Sequence, residues 1–335
     1  LALGIAGDHP ISGAIAALSA WVIRTLLDSD GWVIRCAQHS HLVAGRLTIT
    51  RRRRTNLELL EAIRRRKTTN TPFRPDRVSD EHKRLLIEAA SRAPSHFNSQ
   101  PWRFILIEDK ARIHQIADIA GDAMKQLMNE GTFVARYRRY FRFSTEESMA
   151  AGNGIYVDNL PSVLRPMVKL IFSEQVGTML SRLGVSNILG HDQRRIVRDA
   201  PLLMAIALDK QEYKPGELSG LYASITLGAV IQTLWLVTTA LDMGMQFIST
   251  PLEVPESKAR LVTLLKIPDD YELVAMFRMG YKDPAAARNT IDWTSNQRKH
   301  FAELARYNDW DTPLPEEMAS ARSLLWEGHE MPNQP

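Results

Sequence analysis

The chain has 335 residues, 44% of them hydrophobic and 24% charged, a balance that excludes a disordered or fibrous protein and suffices for a sizeable core. A single cysteine, Cys36, excludes an intramolecular disulfide and a cysteine-based zinc cluster, and fits a reducing cytoplasm. The net charge of +4 is uneven: eleven Lys/Arg against five Asp/Glu lie in residues 1–70, a surplus of +6, so the rest of the chain carries −2.

Residues 1–50 read as an N-terminal extension. Their apolar run at residues 11–27 is shorter than the roughly 20 residues of a membrane span. Asp8 and His9 before it do not make the basic start of a signal peptide. A peripheral or disordered segment is expected. Arg51-Arg52-Arg53-Arg54 has no aromatic interleaving, so a solvated basic stretch is expected there. Leu57, Leu59, Leu60 and Ile63 then mark the apolar face of a helix over residues 56–67. It ends in Arg64-Arg65-Arg66-Lys67-Thr68. Cations beside a hydroxyl suit a phosphate, and equally suit the negative end of a helix.

Ser79 opens a second helix over residues 79–92, with Leu85, Leu86, Ala89 and Ala90 near helical spacing. A polar turn follows, bounded by Pro94 and Pro101 and rich in hydrogen-bonding groups: Ser95, His96, Asn98, Ser99 and Gln100. Held between rigid elements, such a loop either aims donors at a planar ligand or satisfies its own backbone. A buried strand is expected at residues 102–107 and an amphipathic helix at residues 109–129. Arg136-Tyr137-Arg138-Arg139-Tyr140-Phe141-Arg142 reads as a surface helix burying its aromatics, residues 152–161 as a loop, and residues 164–183 as one or two helices.

Residues 201–208 form a strong strand candidate. Residues 221–241 are almost wholly apolar and long enough to suggest a membrane helix. Ser224, Gln232 and the flanking strands point instead to a buried central helix, at a core or a subunit interface. Residues 244–254 read as a strand running into a turn, where Glu253 is either a ligand-site residue or a helix-start acid. Another strand covers residues 271–279 and ends in Gly280-Tyr281-Lys282. The tail carries Trp293, Trp310 and Trp326 among many charges, and either wraps a partner subunit or packs on its own domain. There is no glycine-rich dinucleotide fingerprint, no phosphate-binding Walker loop and no metal-type histidine pair.

The run Ala93-Pro94-Ser95-His96-Phe97-Asn98-Ser99-Gln100-Pro101-Trp102-Arg103-Phe104 closely resembles the flavin-contacting segment of the nitroreductase family, whose members are FMN-dependent oxidoreductases. Further pieces follow the family's order between residues 56 and 292. Arg66, Lys67 and Thr68 stand where the family binds the FMN phosphate. Asn70 stands in place of a usual Lys or Arg near the flavin pyrimidine edge. Pro251, Leu252 and Glu253 resemble a turn over the flavin whose backbone N–H groups reach N5 and O4. Arg288, and less well Lys282, match a basic residue that returns to the phosphate. The resemblance gives Pro94, Ser95, Asn98 and Gln100 to the ring, with His96 as a binding residue or proton donor.

The resemblance implies an α+β, nitroreductase-like fold: a central, mostly antiparallel sheet flanked by helices, with a buried long central helix. It implies a homodimer with FMN at the interface. The expected organisation is an extension at 1–50, an FMN-binding domain at 51–292 with a variable lid at 130–200, and a C-terminal tail at 293–335. NADH or NADPH is the implied electron donor, and a nitroaromatic, quinone or related small electrophile the acceptor, in a ping-pong reaction at flavin N5 that needs no metal. Reductive dehalogenation or flavin cleavage on the same fold is one alternative. A basic protein binding nucleic acid or membrane through residues 1–70 is another, though neither partner is expected.

Overall fold

The computed structural model describes residues 32–36, 47–51, 59–158, 166, 168–173, 179, 184–286, 292–294 and 298–321. The chain divides into two units, Leu1–Leu57 and Glu58–Pro335, slightly beyond the expected boundary at residue 50. In the first, β1 (Trp32–Cys36) and β2 (Leu47–Arg51) form an antiparallel pair. The apolar run at residues 11–27 lies outside the described residues.

The second unit begins with α1 (Leu59–Arg65), α2 (Asp80–Ser91), β3 (Trp102–Ile107), α3 (Lys110–Asn129) and α4 (Thr132–Tyr137). Then come β4 (Phe141–Arg142), α5 (Thr145–Ala151), β5 (Ile155–Asp158), α6 (Val168–Ile171) and α7 (Ser186–Arg198). The later elements are β6 (Leu202–Asp209), α8 (Leu218–Ala240), β7 (Met243–Phe247), α9 (Thr250–Glu253), α10 (Pro255–Leu265) and β8 (Tyr271–Tyr281). The tail adds β9 (Asp292–Thr294), α11 (Phe301–Leu304) and α12 (Glu316–Ala319).

A four-stranded sheet in the order β3-β6-β8-β7 forms the centre, and all its pairings are antiparallel. Alternation along β6 builds two cores. Leu202, Met204, Ile206 and Leu208 meet Leu86 and Ala90 of α2 and Val230 and Leu234 of α8. Leu203, Ala205 and Ala207 meet Ile113 and Ile116 of α3, Ile196 of α7, and Leu261 and Leu265 of α10. At the starts of α2 and α3 a side chain closes the first turn. Ser79 Oγ accepts from the His82 N–H at 3.2 Å and Asp109 Oδ1 from the Arg112 N–H at 2.9 Å.

Burial of α8 is one-sided in the single chain. Ala223, Thr226, Val230 and Leu234 are covered, while Leu218, Leu221 and Ile225 are exposed. Among the described residues it is the one helix long and apolar enough to cross a membrane, and its covered stripe packs on the sheet. The apolar face expected on the first helix is also uncovered: Leu59 and Leu60 are each 63% exposed, and Ala62 is the residue that α1 buries.

Three local expectations are corrected. Residues 152–161, expected as a loop, contain β5, which pairs with β4 and β9. Residues 136–142, expected as one helix, end α4 at Tyr137, turn through a 3-10 segment and enter β4. Phe141 there packs on Phe133 and Phe172, with ring centroids 6.0 and 5.1 Å away, so tertiary contacts override the helical spacing. The third is α7, which had no counterpart in the sequence reading.

The strands pass close beneath the loop after α1. Phe73 forms a bridge with Lys282 and lies over Gly280, where an added Cβ would sit 2.7 Å from Phe73 Cβ and 2.8 Å from Pro201 Cγ. Gly280→Ala should therefore force this loop away and destabilise the fold by about 1–3 kcal/mol, the range for overpacking. Urea unfolding measures this, and unchanged stability would contradict the close approach.

Candidate functional site

Two groups of the expected residues come together on different parts of the chain. The first group is the loop of residues 66–70. It is tied to β7 by the Thr69 N–H, which donates to Met245 O at 3.1 Å, and Thr69 fills the space over Gly244. Arg66 lies with its guanidinium 5.4 Å from the centre of the Trp235 ring on α8. Its pKa is lowered, first by burial and then by repulsion from Arg298. The Trp235 indole Nε1–H is buried without an acceptor among the described residues. Lys67 and Thr68 are exposed beside it.

A half-buried guanidinium beside a buried indole N–H, with the charge of Arg298 acting on it, makes a positively charged, donor-rich patch. An anion beside Arg66 would accept directed hydrogen bonds from it, as a phosphate does. The donor set therefore fits the phosphate end of FMN. Arg298 was not singled out in the sequence, because it lies in the tail beyond the expected position. Arg288 lies outside the described residues. Lys282 is engaged by Asp242 at 3.6 Å.

β7 links this loop to the turn formed by α9. Pro251 is buried, and the Leu252 N–H donates to Ser249 O at 2.8 Å. Glu253 ends this turn, one residue before Val254, the N-cap of α10. Its carboxylate takes a hydrogen bond from Arg136 at 3.0 Å, which fixes the start of the 130–200 region against the turn.

Tyr137 lies beside that pair. Burial, and then the Glu253 carboxylate, push its phenol up to about 12. The charged form of tyrosine is the phenolate, so the folded protein holds this proton where the unfolded chain releases it. The resulting stability is complete below pH 10 and is lost as pH rises through about 12. Tyr137→Phe should flatten the fall in stability between those values. An unchanged profile would show that Tyr137 titrates normally.

The second group is the turn after α2. The Ser95 Oγ accepts from the Gln100 N–H at 3.2 Å, and Gln100 Nε2 donates to Asn98 Oδ1 at 3.1 Å. Phe97, Asn98 and Gln100 have φ of 47°, 57° and 47°, in the left-handed region that side chains seldom adopt. Such strain is stored where surrounding structure holds it. His96 stacks on Tyr222 of α8, with centroids 4.2 Å apart and rings within 10° of parallel. This contact anchors the turn to α8. Pro94, Asn98 and Gln100 are exposed, and Phe97 is 93% exposed.

The two groups do not converge within one chain. Tyr222 and Trp235 lie on the same straight element, and a helical rise of about 1.5 Å per residue separates them by roughly 20 Å.

Among solved structures, a BluB-like flavoprotein from Clostridium difficile 630 is 20% identical, covering 76% of this chain and 100% of that one, with a TM-score of 0.47. NfrA2 of B. megaterium is 14% identical, covering 76% and 75%, with a TM-score of 0.46. An NADPH:FMN oxidoreductase from Vibrio harveyi, complexed with NAD+, is 13% identical, covering 75% and 77%, with a TM-score of 0.45. At these values the likenesses carry no inference about chemistry. A comparison with curated protein sequences finds no match. The sequence model of the nitroreductase family matches residues 63–281, well over half of the chain, and the protein therefore belongs to the nitroreductase family of oxidoreductases.

Proposed function

We propose that the protein is an FMN-dependent oxidoreductase that uses NADH or NADPH to reduce a nitroaromatic, quinone or related small electrophile by a ping-pong mechanism. The observation that carries this reading is the Arg66 guanidinium 5.4 Å from the centre of the Trp235 ring, whose buried N–H has no acceptor among the described residues. It offers a phosphate site at one end of a loop whose other end, Asn70, is a neutral hydrogen-bonding residue suited to a ring edge. Bound FMN would supply the hydride chemistry at its N5 atom.

The residues of the chain bind and orient. Arg66 and Arg298 hold the phosphate, with Lys67 and Thr68 beside them. Pro251, Leu252 and Glu253 form a rigid turn that Arg136 braces. Ser95, Asn98 and Gln100 present a preformed polar edge. A second copy of the chain supplies that edge, because the two groups sit at separate points along α8. Exposed Leu218, Leu221, Ile225 and Phe97 support a homodimer through this end of the helix. Burying them removes apolar area from water at about 25 cal/mol per Å².

Anaerobic titration of the FMN-loaded protein tests the reading. NADH or NADPH should bleach the flavin absorbance, and addition of a quinone or nitroaromatic should restore it. Failure of both nucleotides to reduce the flavin would overturn the proposed electron donor.

A further inference from the structure

Arg278 of β8 is a fully buried guanidinium with no carboxylate in hydrogen-bonding contact among the described residues. Its Nε donates to Gln246 Oε1 at 2.5 Å, and Nη2 donates to the carbonyls of Thr69 and Thr71 at 2.7 and 3.0 Å. Its face covers the Phe73 ring at 4.5 Å, and Nη1 has no partner. Burial lowers its pKa to about 9, against a weaker upward pull from Asp199, so it is still charged at neutral pH. Burying a charge without an ion pair is costly, and an aliphatic residue would pack this strand at lower cost.

A donor-only group dictates the direction of every amide that follows it. Arginine has no acceptor, so Gln246 must turn its Oε1 toward Arg278. Gln246 Nε2 then faces Asn70 and donates to Asn70 Oδ1 at 3.1 Å. The amide nitrogen of Asn70 is thereby the group directed away from Gln246. This orientation follows from the donor count and does not depend on how the two amides are assigned. The first bond is charge-assisted, and it polarises the second. The relay thus brings part of a dry positive charge to a half-buried amide. That amide lies at most about 13 Å along the loop from Arg66, given the reach of an extended chain.

We propose that Arg278 is a positioning residue which, through Gln246 and Asn70, holds a polarised N–H donor against the electron-rich carbonyl edge of the flavin and raises the reduction potential of bound FMN. The proposal rests on the FMN reading above. Two-electron reduction adds electron density to the ring, so a fixed polarised donor stabilises the reduced form more than the oxidised form.

Gln246→Glu tests it without opening the core. A glutamate at this position still accepts from Arg278 but has no N–H for Asn70, so the Asn70 amide reverses to donate its N–H to the second carboxylate oxygen and no longer presents it to the flavin. Reduced FMN should then bind about tenfold more weakly relative to oxidised FMN, which is a fall of about 30 mV for a two-electron couple. Asn70→Lys supplies a cation that needs no relay, and in that background Gln246→Glu should leave the potential unchanged. Equilibration with a reference dye reads the potential, and fluorescence titration reads the affinity for oxidised FMN. Equal weakening of both redox forms, or an unchanged potential with FMN still bound, would overturn the relay and leave the FMN reading intact. Absence of FMN binding by the unaltered protein would overturn both.

Discussion

Arg66→Ala and Arg298→Ala are each expected to loosen FMN by roughly ten- to more than a hundredfold, about 1.5–3 kcal/mol, the range for hydrogen bonds to charged groups. Riboflavin lacks the phosphate, so its weaker binding should hardly change. The expectation comes from the Arg66 guanidinium, half-buried at the Trp235 ring, and from the Arg298 charge close enough to act on it. Each arginine removed takes a charge-assisted bond from a dianion that needs more than one cation. Titration of both ligands against each variant separates the outcomes. Losses for FMN alone support a phosphate clamp. Equal losses for both ligands would indicate damage to the fold, and unchanged affinities would make these arginines ordinary surface charges.

Ile225→Glu should dissociate the proposed dimer and abolish tight FMN binding together. Ile225 is 61% exposed in the single chain, so a polar replacement costs the monomer at most about 0.5 kcal/mol. At the centre of an interface the same change buries an unpaired carboxylate, and losses of about 2 kcal/mol or more are expected, roughly thirtyfold in dimer dissociation. Light scattering across a concentration series reads the assembly, and FMN titration reads the site. A monomer that still binds FMN tightly would show that one chain holds the whole site. A dimer that persists unchanged would move the interface away from this face of α8.

Much of this was legible in the sequence, for physical reasons that also mark where legibility ended. The continuous apolar run of residues 201–208 gave β6, because a strand covered on both faces needs apolar residues at every position. Ser79 gave the start of α2, since a cap is a local bond between near neighbours. By contrast, Gly152 and Gly154 punctuate the chain like a loop, while β5 depends on a partner at residues 292–294. The apolar side of α1 predicted a core contact that the single chain does not make.

The site divides in the same way. The turn at residues 94–100 and the basic end of α1 carry local signatures. The Arg298 charge acting on Arg66, and Arg278 reaching Asn70 through Gln246, join positions far apart in the chain. Nothing in local spacing marks such pairs. The sequence did locate the departure at Asn70, and the fold supplies a buried cation behind it.

The central claim is that this chain holds FMN. The most direct measurement is chromatography of the cofactor released by heat from the purified protein, after reconstitution with a mixture of FMN, FAD and riboflavin. The account predicts a yellow protein that releases FMN. Release of FAD, or a colourless protein that takes up no flavin, would contradict it.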